Sequence, residues 1–354
     1  MSAAATKPSS QADVVRHIGD RPLTIDDVVA LSRGAKRPAL SREVIARMKR
    51  SADVLATLHE KGDAIYGVTT SVGASVDTVI PPHRAAELSL NVLRMHGCGT
   101  GRILDEDESA AVLIVRLSSL AQGMSGIRPE IAERLVAFLE ARVLPRIPSE
   151  GSVGASGDLT PLSYVAAALV GEREMSLNGE EVSARVALES LGLAPMTLRP
   201  KEALALMNGT SVATALACLA WYRARRVARV ASTISAMASL AVNGNRSHFD
   251  SVIHAAKPHP GQMLVAGWIR EDLAGLPSEH EPFRLQDRYS VRCAPHVIGV
   301  LVDALRFGRD TLETELNGVS DNPIVDVENE RLLHGGNFYG CLLYTSDAAD
   351  ERSS

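Results

Sequence analysis

The chain is poor in aromatic residues and in cysteine. Phe, Trp and Tyr together make up 4% of its 354 residues, whereas apolar residues make up 45%. This composition favours packed helices over a β-sandwich, which depends on aromatic and β-branched side chains. The cysteines, Cys98, Cys218, Cys293 and Cys341, show no metal-knuckle spacing, and the chain is too long for a disulfide-stapled miniprotein. We therefore expect reduced thiols in a cytoplasmic protein.

The sequence also lacks an excess of basic charge and an uninterrupted apolar run. Its net charge is −5, which argues against a general nucleic-acid binder, because such a protein carries a basic face. Residues 1–14 have no apolar core and do not predict a signal peptide. The longest apolar segment, residues 211–242, is interrupted by several arginines, so we do not expect it to span a membrane.

What is present is a series of helical patterns. Apolar residues recur at helical spacing over residues 41–60, 105–122, 129–142, 211–242 and 294–317. Ser41 is predicted to cap the first helix, and Thr160 with Pro161 to open a further helix that runs to residue 170. Residues 211–242 are apolar on nearly all sides in places, so we expect them deep inside a bundle. The predicted fold class is mainly α, with long bundled helices.

A glycine-rich segment precedes the Thr160 helix. Residues 151–158 read Gly-Ser-Val-Gly-Ala-Ser-Gly-Asp. A plain structural turn is one interpretation. A phosphate cradle at a helix N-terminus is another, but the Gly-Lys-Ser/Thr and the preceding strand of a P-loop are missing.

The triplet Ala155, Ser156 and Gly157 allows a third interpretation. The unhindered glycine nitrogen can close onto the alanine carbonyl. Loss of water from the ring and from the serine then gives 4-methylidene-imidazol-5-one (MIO). This group is a carbon electrophile of a kind that no ordinary side chain supplies.

Residues 151–163, Gly-Ser-Val-Gly-Ala-Ser-Gly-Asp-Leu-Thr-Pro-Leu-Ser, resemble the signature of the histidine/phenylalanine/tyrosine ammonia-lyase family and its aminomutase relatives. Four further blocks resemble the same family and keep its order. They are Tyr-Gly-Val-Thr-Thr-Ser-Val-Gly at 66–73, Met-Asn-Gly-Thr-Ser at 207–211, Gln-Asp-Arg-Tyr-Ser-Val-Arg-Cys at 286–293, and Glu-Leu-Asn-Gly-Val-Ser-Asp-Asn-Pro at 315–323 with Gly-Gly-Asn-Phe at 335–338. The resemblance implies a carbon–nitrogen lyase with a long-helix bundle of the fumarase/aspartase-like type. A smaller N-terminal part would carry the catalytic tyrosine loop.

The resemblance also implies roles for single residues. Tyr66 would remove the β-proton as a general base, while the MIO from Ala155, Ser156 and Gly157 holds the departing amine. Arg292 would pair with the substrate carboxylate through its planar donor set. The remaining roles are hydrogen bonding to the MIO or the substrate (Asn208, Gln286), a position beside the prosthetic group (Tyr289) and packing over it (Phe338).

Several of these residues have a structural alternative. Tyr66 could be a packing tyrosine, Arg292 a salt-bridged arginine, Asn208 and Gln286 loop-fixing amides, and Phe338 a core phenylalanine. Asp158 is expected to orient the backbone for cyclisation. Ser71 stands where most relatives have glycine, and we expect this to shift the lid loop.

Substrate choice is expected to depend on Met95 and His96, which fall in a segment resembling the family's selectivity loop. A histidine can hydrogen-bond a phenol hydroxyl or an imidazole, and a buried polar partner discriminates against a ring that lacks one. Tyrosine or histidine therefore ranks above phenylalanine, with a weak preference for tyrosine. The alternative for His96 is a satisfied core histidine.

The sequence suggests four regions. We expect residues 1–20 to form a mobile arm, 21–210 the lyase region with the triplet, and 211–340 a central helical bundle. Residues 341–354 are a tail that does not resemble the family. We interpret this tail as foreign read-through at the end of a truncated gene. The resemblance implies a homotetramer without metal or nucleotide, and no nucleic-acid or membrane partner. The alternatives are a 2,3-aminomutase, an inactive helical fragment and, least favoured, a nucleotide-binding module.

Overall fold

A computed structural model describes residues 14–276 and 282–340 of the chain. By compactness the chain divides into unit 1, Met1–Cys218 with Glu313–Ser354, and unit 2, Leu219–Leu312. Three residues of the predicted mobile arm, Val15–His17, form a strand. The rest of that prediction for residues 1–13, and the prediction for the tail at 341–354, lie outside the described residues.

The structure is mainly α-helical, as predicted. The helices are α1 (Ile25–Ser32), α2 (Arg42–Glu60), α3 (Ala85–His96), α4 (Glu106–Ala121), α5 (Pro129–Ala141), α6 (Leu159–Leu169), α7 (Ala184–Ser190), α8 (Glu202–Met207), α9 (Ser211–Ala241), α10 (Ser251–Ala255), α11 (Pro260–Leu273), α12 (Tyr289–Arg292) and α13 (Ala294–Leu316). The strands are short: β1 (Val15–His17), β2 (Arg37–Ala39), β3 (Thr100–Ile103), β4 (Leu144–Pro145), β5 (Pro148–Glu150), β6 (Glu174–Leu177), β7 (Glu180–Ser183), β8 (Ile324–Asp326) and β9 (Arg331–Leu333).

These strands form small separate sheets. β1 pairs with β2 in parallel, and the pairs β3–β5, β4–β6, β6–β7 and β8–β9 are antiparallel. Among the described residues, no helix combines the length and the apolarity that a membrane crossing requires.

The core of unit 1 is built around α4. Asp105 and Glu108 form a reciprocal capping box at its start, and the first turn is acidic, which suits the helix dipole. Every residue from Glu108 to Ala121 is buried, and α1, α2 and α5 pack against this helix. Ser41 caps α2 as predicted, since its side chain accepts a hydrogen bond from the Val44 N–H.

Helices α3, α6 and α8 pack on one another and position the candidate site. The predicted start of α6 is wrong by two residues. Asp158, not Thr160, precedes the first helical residue, and the Asp158 carbonyl accepts from Leu162 N at 3.0 Å. Pro161 is tolerated inside the first turn because the N–H it lacks would have no helical partner there.

Unit 2 has a core of its own, centred on Phe249, Val265 and Ile269. Only one face of α9 contributes to it, through Ala228 and Ala236. The expectation that residues 211–242 lie deep inside a bundle is therefore wrong for the unit 2 part of α9. An apolar stripe at helical spacing is exposed there: Val227, Val230, Ile234, Met237 and Leu240. On this part of α9 the small residues face the unit 2 core, so the larger apolar side chains point away from it.

Candidate active site

The triplet lies in a tight reverse turn. The Gly157 N–H donates to the Gly154 carbonyl at 3.3 Å, and the two residues form an isolated antiparallel bridge. Ser156 has φ +72°, in the left-handed region that a non-glycine residue rarely adopts. Such a conformation costs roughly 1–3 kcal/mol and persists only when the surroundings fix it.

The surroundings that fix the turn are the backbone of Gly209. Its N–H donates to the Ser156 carbonyl at 3.0 Å, and its carbonyl accepts from the Asp158 N–H at 2.7 Å. A Cβ added to Gly157 would lie 2.2 Å from the Gly209 oxygen, and Gly157 has φ +76°. Glycine is therefore required at 157 by the packing as well as by the proposed chemistry.

Asp158 connects the turn to the start of α9. Its buried carboxylate accepts from the backbone N–H groups of Val212 and Ala213, each at 2.9 Å, and from the Ser152 hydroxyl at 2.9 Å. A carboxylate at a helix N-terminus is stabilised by the helix dipole and by these otherwise unpaired donors. The contacts suit the predicted orienting role, which stays a prediction.

Asn208 follows α8 and is buried. Its amide nitrogen donates to the Asp321 carboxylate at 3.3 Å and to the Asn322 carbonyl at 2.9 Å. The –NH₂ group of Asn208 thus fixes the loop, which is the structural alternative that the sequence left open for this residue. The amide oxygen Oδ1 is the part of Asn208 that could serve a ring or a substrate.

A buried charge cluster behind this segment was missed by the sequence analysis. Lys201 Nζ lies 2.5 Å from Asp321 Oδ2, and both side chains have 0% exposure. Arg116 is also fully buried and donates to the carbonyls of Asn208 and Ser320. Burial lowers the pKa of Arg116 to about 10. Burial also lowers the pKa of Lys201, and the negative charge of Asp321 offsets part of that decrease. An arginine in the otherwise apolar middle of α4 was the available signal.

Tyr66 lies in a loop closed by backbone hydrogen bonds. Its hydroxyl oxygen accepts from the Gly73 N–H at 2.8 Å. Ser71 donates its N–H to the Thr78 carbonyl at 2.9 Å, so the serine that departs from the family pattern lies within this closure. A backbone donor in the same loop thus holds the Tyr66 oxygen in place.

Met95 and His96 end α3. Met95 is 64% exposed, while His96 is half-buried, with Nδ1 2.8 Å from the Val92 carbonyl. A carbonyl can only accept, so Nδ1 carries a hydrogen, and in the neutral imidazole Nε2 is then the acceptor. The following strand, β3, pairs with β5, which leads into the glycine-rich segment.

The block that ends with Phe338 also reaches the turn. The Gly340 N–H donates to the Gly154 carbonyl at 3.1 Å, and the Ser320 hydroxyl donates to the Asn337 carbonyl at 3.0 Å. Phe338 itself is half-buried. Hydrogen bonds thus join the triplet, Asn208 and the 335–340 block, which are far apart in sequence.

Unit 2 contains the other three predicted residues, Gln286, Tyr289 and Arg292. Gln286 and Tyr289 are exposed, and the Arg292 guanidinium carbon lies 4.6 Å from the centre of the Tyr289 ring. The Nε–H of Arg292 donates to the Asp287 carbonyl at 3.0 Å. This bond uses one of the five guanidinium donors, so a two-pronged pair with a carboxylate stays possible.

Asp287 anchors this segment of unit 2. Its N–H donates to His248 Nε2 at 3.0 Å, and its buried carboxylate accepts from the Asn245 N–H at 2.9 Å. Within the described residues, no group of three His, Cys, Asp or Glu side chains could bind a metal ion.

Comparison with known proteins identifies the family. Residues 23–350 match the family model described as aromatic amino acid lyase. The chain belongs to this family, and the resemblance noted from its motifs is confirmed. The match extends to residue 350, into the segment that the sequence analysis placed outside the family.

Relatives include ammonia-lyases of more than one substrate. The chain is 40% identical over 331 residues to histidine ammonia-lyase of Sorangium cellulosum, covering 90% of the chain and 64% of that protein. It is 38% identical over 347 residues to phenylalanine ammonia-lyase of Nostoc punctiforme, covering 94% of the chain and 61% of that protein. The chain thus spans about three fifths of the length of these curated relatives.

Solved structures of the family have the same fold. Phenylalanine aminomutase of Pantoea agglomerans matches with a TM-score of 0.86 at 30% identity, over 96% of the chain and 69% of that protein. Histidine ammonia-lyase of Trypanosoma cruzi matches with a TM-score of 0.82 at 35% identity, over 95% of the chain and 63% of that protein. The mainly α fold class predicted from the sequence is therefore confirmed.

Proposed function

We propose that this protein eliminates ammonia from an aromatic L-amino acid to give the α,β-unsaturated aryl acid, using an MIO formed from Ala155, Ser156 and Gly157. The observation that carries the proposal is the turn at 154–157, which is bent at Ser156 and fixed on both sides of Gly157 by Gly209.

The residues at the turn fit such a group. The two peptide groups that flank Gly157 bond to Gly209, whereas the Gly157 nitrogen points back into the turn at the Gly154 carbonyl. The nitrogen that must attack is therefore not committed to the neighbouring segment. Bending the chain in advance removes much of the entropy that ring closure would otherwise cost.

The side chains supply the remaining steps. The MIO, once formed, supplies the electrophilic carbon that holds the departing amine. The Tyr66 oxygen, which the Gly73 N–H holds in place, would accept the β-proton. Arg292 would bind the substrate carboxylate through its terminal nitrogens, and the oxygen of Asn208, with Gln286, would hydrogen-bond the ring system. Tyr289 and Phe338 keep their proposed places beside and over the prosthetic group.

Two observations bear on the substrate ring. His96 Nε2 is an acceptor, so it suits a phenol hydroxyl or an imidazole N–H, and an unsubstituted phenyl ring offers it neither. The names of the relatives favour histidine, which is the substrate named for the proteins from Sorangium cellulosum, Homo sapiens and Bacillus subtilis. We therefore keep tyrosine and histidine ahead of phenylalanine, with histidine the first to test.

A 2,3-aminomutase is the second candidate, because the Pantoea agglomerans phenylalanine aminomutase has the same fold at a TM-score of 0.86. This enzyme class would use the same ring and return the amine to the β-carbon. Product analysis separates the two activities, since the unsaturated acid absorbs in the near ultraviolet and a β-amino acid does not.

We also propose that the active form is a cytoplasmic homotetramer, as the resemblance implies. The exposed apolar stripe on α9 supports an assembled state, since soluble proteins rarely leave contiguous apolar surface in water. Size measurement by light scattering tests it, and a monomer at micromolar concentration would contradict it.

The experiment that tests the proposal is intact mass followed by a substrate screen. The matured chain is expected to be lighter than the encoded chain by two water molecules, and Ser156→Ala, which cannot lose the serine water, is the matched control. Histidine, tyrosine and phenylalanine are then tested, with Tyr66→Phe as the variant that should keep the mass change and lose turnover. A folded wild-type chain at its full encoded mass would refute the MIO.

A further inference from the structure

We propose that Lys201, Asp321 and Arg116 are positioning residues for the candidate site. Their buried charge cluster fixes the backbone at 208–209, and Gly209 in turn holds the turn at 154–157 in its bent form. The part of this inference that concerns ring formation rests on the proposed function.

The cluster is buried without access to water. The side chains of Lys201 and Asp321 have 0% exposure, as has Arg116. Lys201 also has φ +72°, a backbone conformation that is strained for a residue with a Cβ. Burying two cations and straining one of their backbones is unfavourable, and apolar residues would fill the same space at less expense. A function in placing the neighbouring chain explains why these groups are there.

The first link runs from the charges to Asn208. Lys201 Nζ donates to one carboxylate oxygen of Asp321. The other oxygen accepts from the Asn208 amide at 3.3 Å and from the Asn322 N–H at 2.7 Å. Arg116 Nη1 donates to the Asn208 carbonyl. Both the side chain and the backbone of Asn208 are therefore bound to the cluster.

The second link runs from Gly209 to the turn. A Cβ on Gly209 would lie 2.4 Å from the Ser320 carbonyl oxygen and 2.9 Å from Arg116 Nη1, so this glycine is packed directly on the cluster. On its other side Gly209 bonds to Ser156 and Asp158 through its N–H and its carbonyl. A shift of the cluster would be transmitted through one residue to both peptide groups that flank Gly157.

The three residues act through others and do not contact the triplet themselves. Asp321 is saturated by its partners, and Arg116 donates to the carbonyls of Asn208 and Ser320 and to the Ser119 hydroxyl. The charge of Asp158 also acts on Arg116, so the two cations face two carboxylates in this region. With Asp158 counted, the buried charges of this region balance.

The test compares Lys201→Met with Arg128→Met. Arg128 is partly buried and pairs with the buried Glu202 at 2.7 Å, beside the same end of α8. The bonds of Arg128 do not reach Asn208 or Gly209. The readout is hydrogen–deuterium exchange of peptides that cover 151–158 and 206–213. We expect Lys201→Met to speed exchange in both peptides by about tenfold or more, because an unpaired buried Asp321 releases Asn208.

Arg128→Met is expected to lower stability while leaving exchange in these two peptides close to wild type. Equal exchange in the two variants, or unchanged exchange at 151–158 in Lys201→Met, overturns the proposal. If Lys201→Met does not fold, the double variant Lys201→Met with Asp321→Asn replaces it, because Asp321 is then not left as an unpaired buried charge. Exchange in the same two peptides decides whether the proposal holds.

Intact mass gives a second readout that separates this inference from the proposed function. Where the wild-type chain loses two water molecules, Lys201→Met should do so at least about tenfold more slowly, and Arg128→Met at the wild-type rate. An equal rate for Lys201→Met and wild type overturns the positioning role in ring formation. A wild-type chain that stays at its encoded mass refutes the MIO, while the exchange comparison still decides whether the cluster positions the turn.

Discussion

Unit 1 and unit 2 each fix their own predicted site residues, and they do so in different ways. In unit 1 the triplet is fixed by backbone hydrogen bonds to Gly209 and by the buried carboxylate of Asp158. In unit 2, Gln286 and Tyr289 are exposed, and their segment is anchored through Asp287 and His248. Closing a ring within the backbone needs a rigid frame free of competing water, whereas residues that meet a substrate must be reachable. The difference between the units is the one that the proposed function would require.

Gly157→Ala should have the largest effect, because it places a Cβ against the backbone of Gly209, which cannot move aside as a side chain can. The new Cβ would lie 2.2 Å from the Gly209 oxygen, at φ +76°. We expect a loss of about 3 kcal/mol or more in the free energy of unfolding, and no mass change from ring formation. Urea unfolding and intact mass measure the two effects.

The control for this variant is Gly192→Ala. Gly192 has φ +68° but no atom within 4 Å of the added Cβ. It should lose only about 1 kcal/mol, from the backbone strain alone. Similar losses for the two variants would show that the turn is less constrained than its contacts indicate.

Asp158→Asn should have the next largest effect. The amide keeps the shape of the carboxylate but weakens the bonds to the Val212 and Ala213 N–H groups at the start of α9. We expect a loss of about 2 kcal/mol in urea unfolding, together with faster hydrogen exchange at 151–158.

Asp105→Asn, at the N-cap of α4, is the matched control for Asp158→Asn. It should lose about 1 kcal/mol or less, since asparagine is also a good N-cap, and it should leave exchange at 151–158 unchanged. A wild-type exchange rate at 151–158 in Asp158→Asn would rule out its role in orienting the turn.

Acid should weaken unit 2 through His254. This histidine is buried, accepts from the Gln262 amide at Nδ1, and lies 5.5 Å from the ring of His296. Burial lowers the pKa of His254 below its usual 6.5. The unfolded chain therefore takes up the proton first, so the stabilising effect of the neutral imidazole is complete above about pH 6.5 and is lost as the pH falls below it.

His254→Gln should reduce this loss of stability between pH 8 and pH 5, as measured by urea midpoints. His259→Gln is the control, because His259 is exposed in the same unit and should leave the pH dependence unchanged. A pH dependence that is the same in both variants would assign the acid sensitivity to other groups.

Ile234→Lys should have the smallest effect on stability and a clear effect on assembly. Ile234 is 57% exposed in the apolar stripe of α9. A lysine there should change the free energy of unfolding of the single chain by less than about 0.5 kcal/mol, while it lowers the association state measured by light scattering. Arg226→Lys, which keeps the charge on the same helix, should change neither, and an unchanged association state in Ile234→Lys would place the interface elsewhere.

Much of the fold was predictable because its signals are local. The helix patterns and the Ser41 cap were correct, since apolar spacing and capping residues act within a few turns. The start of α6 was wrong because proline is accepted anywhere in a first turn, so Thr160 and Pro161 do not fix the boundary. The prediction that α9 is buried was wrong for its unit 2 part, because hydrophobicity shows which side chains avoid water but not what covers them.

For the site, the sequence alone determined the family and the residue types. The family motifs can be read directly, and one of them contains the order alanine, serine, glycine that the proposed ring chemistry needs. The tertiary structure alone decided that Gly209 fixes the turn, that Asn208 uses its –NH₂ on Asp321 and Asn322, and that Lys201 and Arg116 are buried behind them. These contacts join residues that are far apart in the chain, by 92 positions between Arg116 and Asn208. No local pattern encodes such pairings, since they arise only when α4, α8 and the 320–322 segment pack together and exclude water.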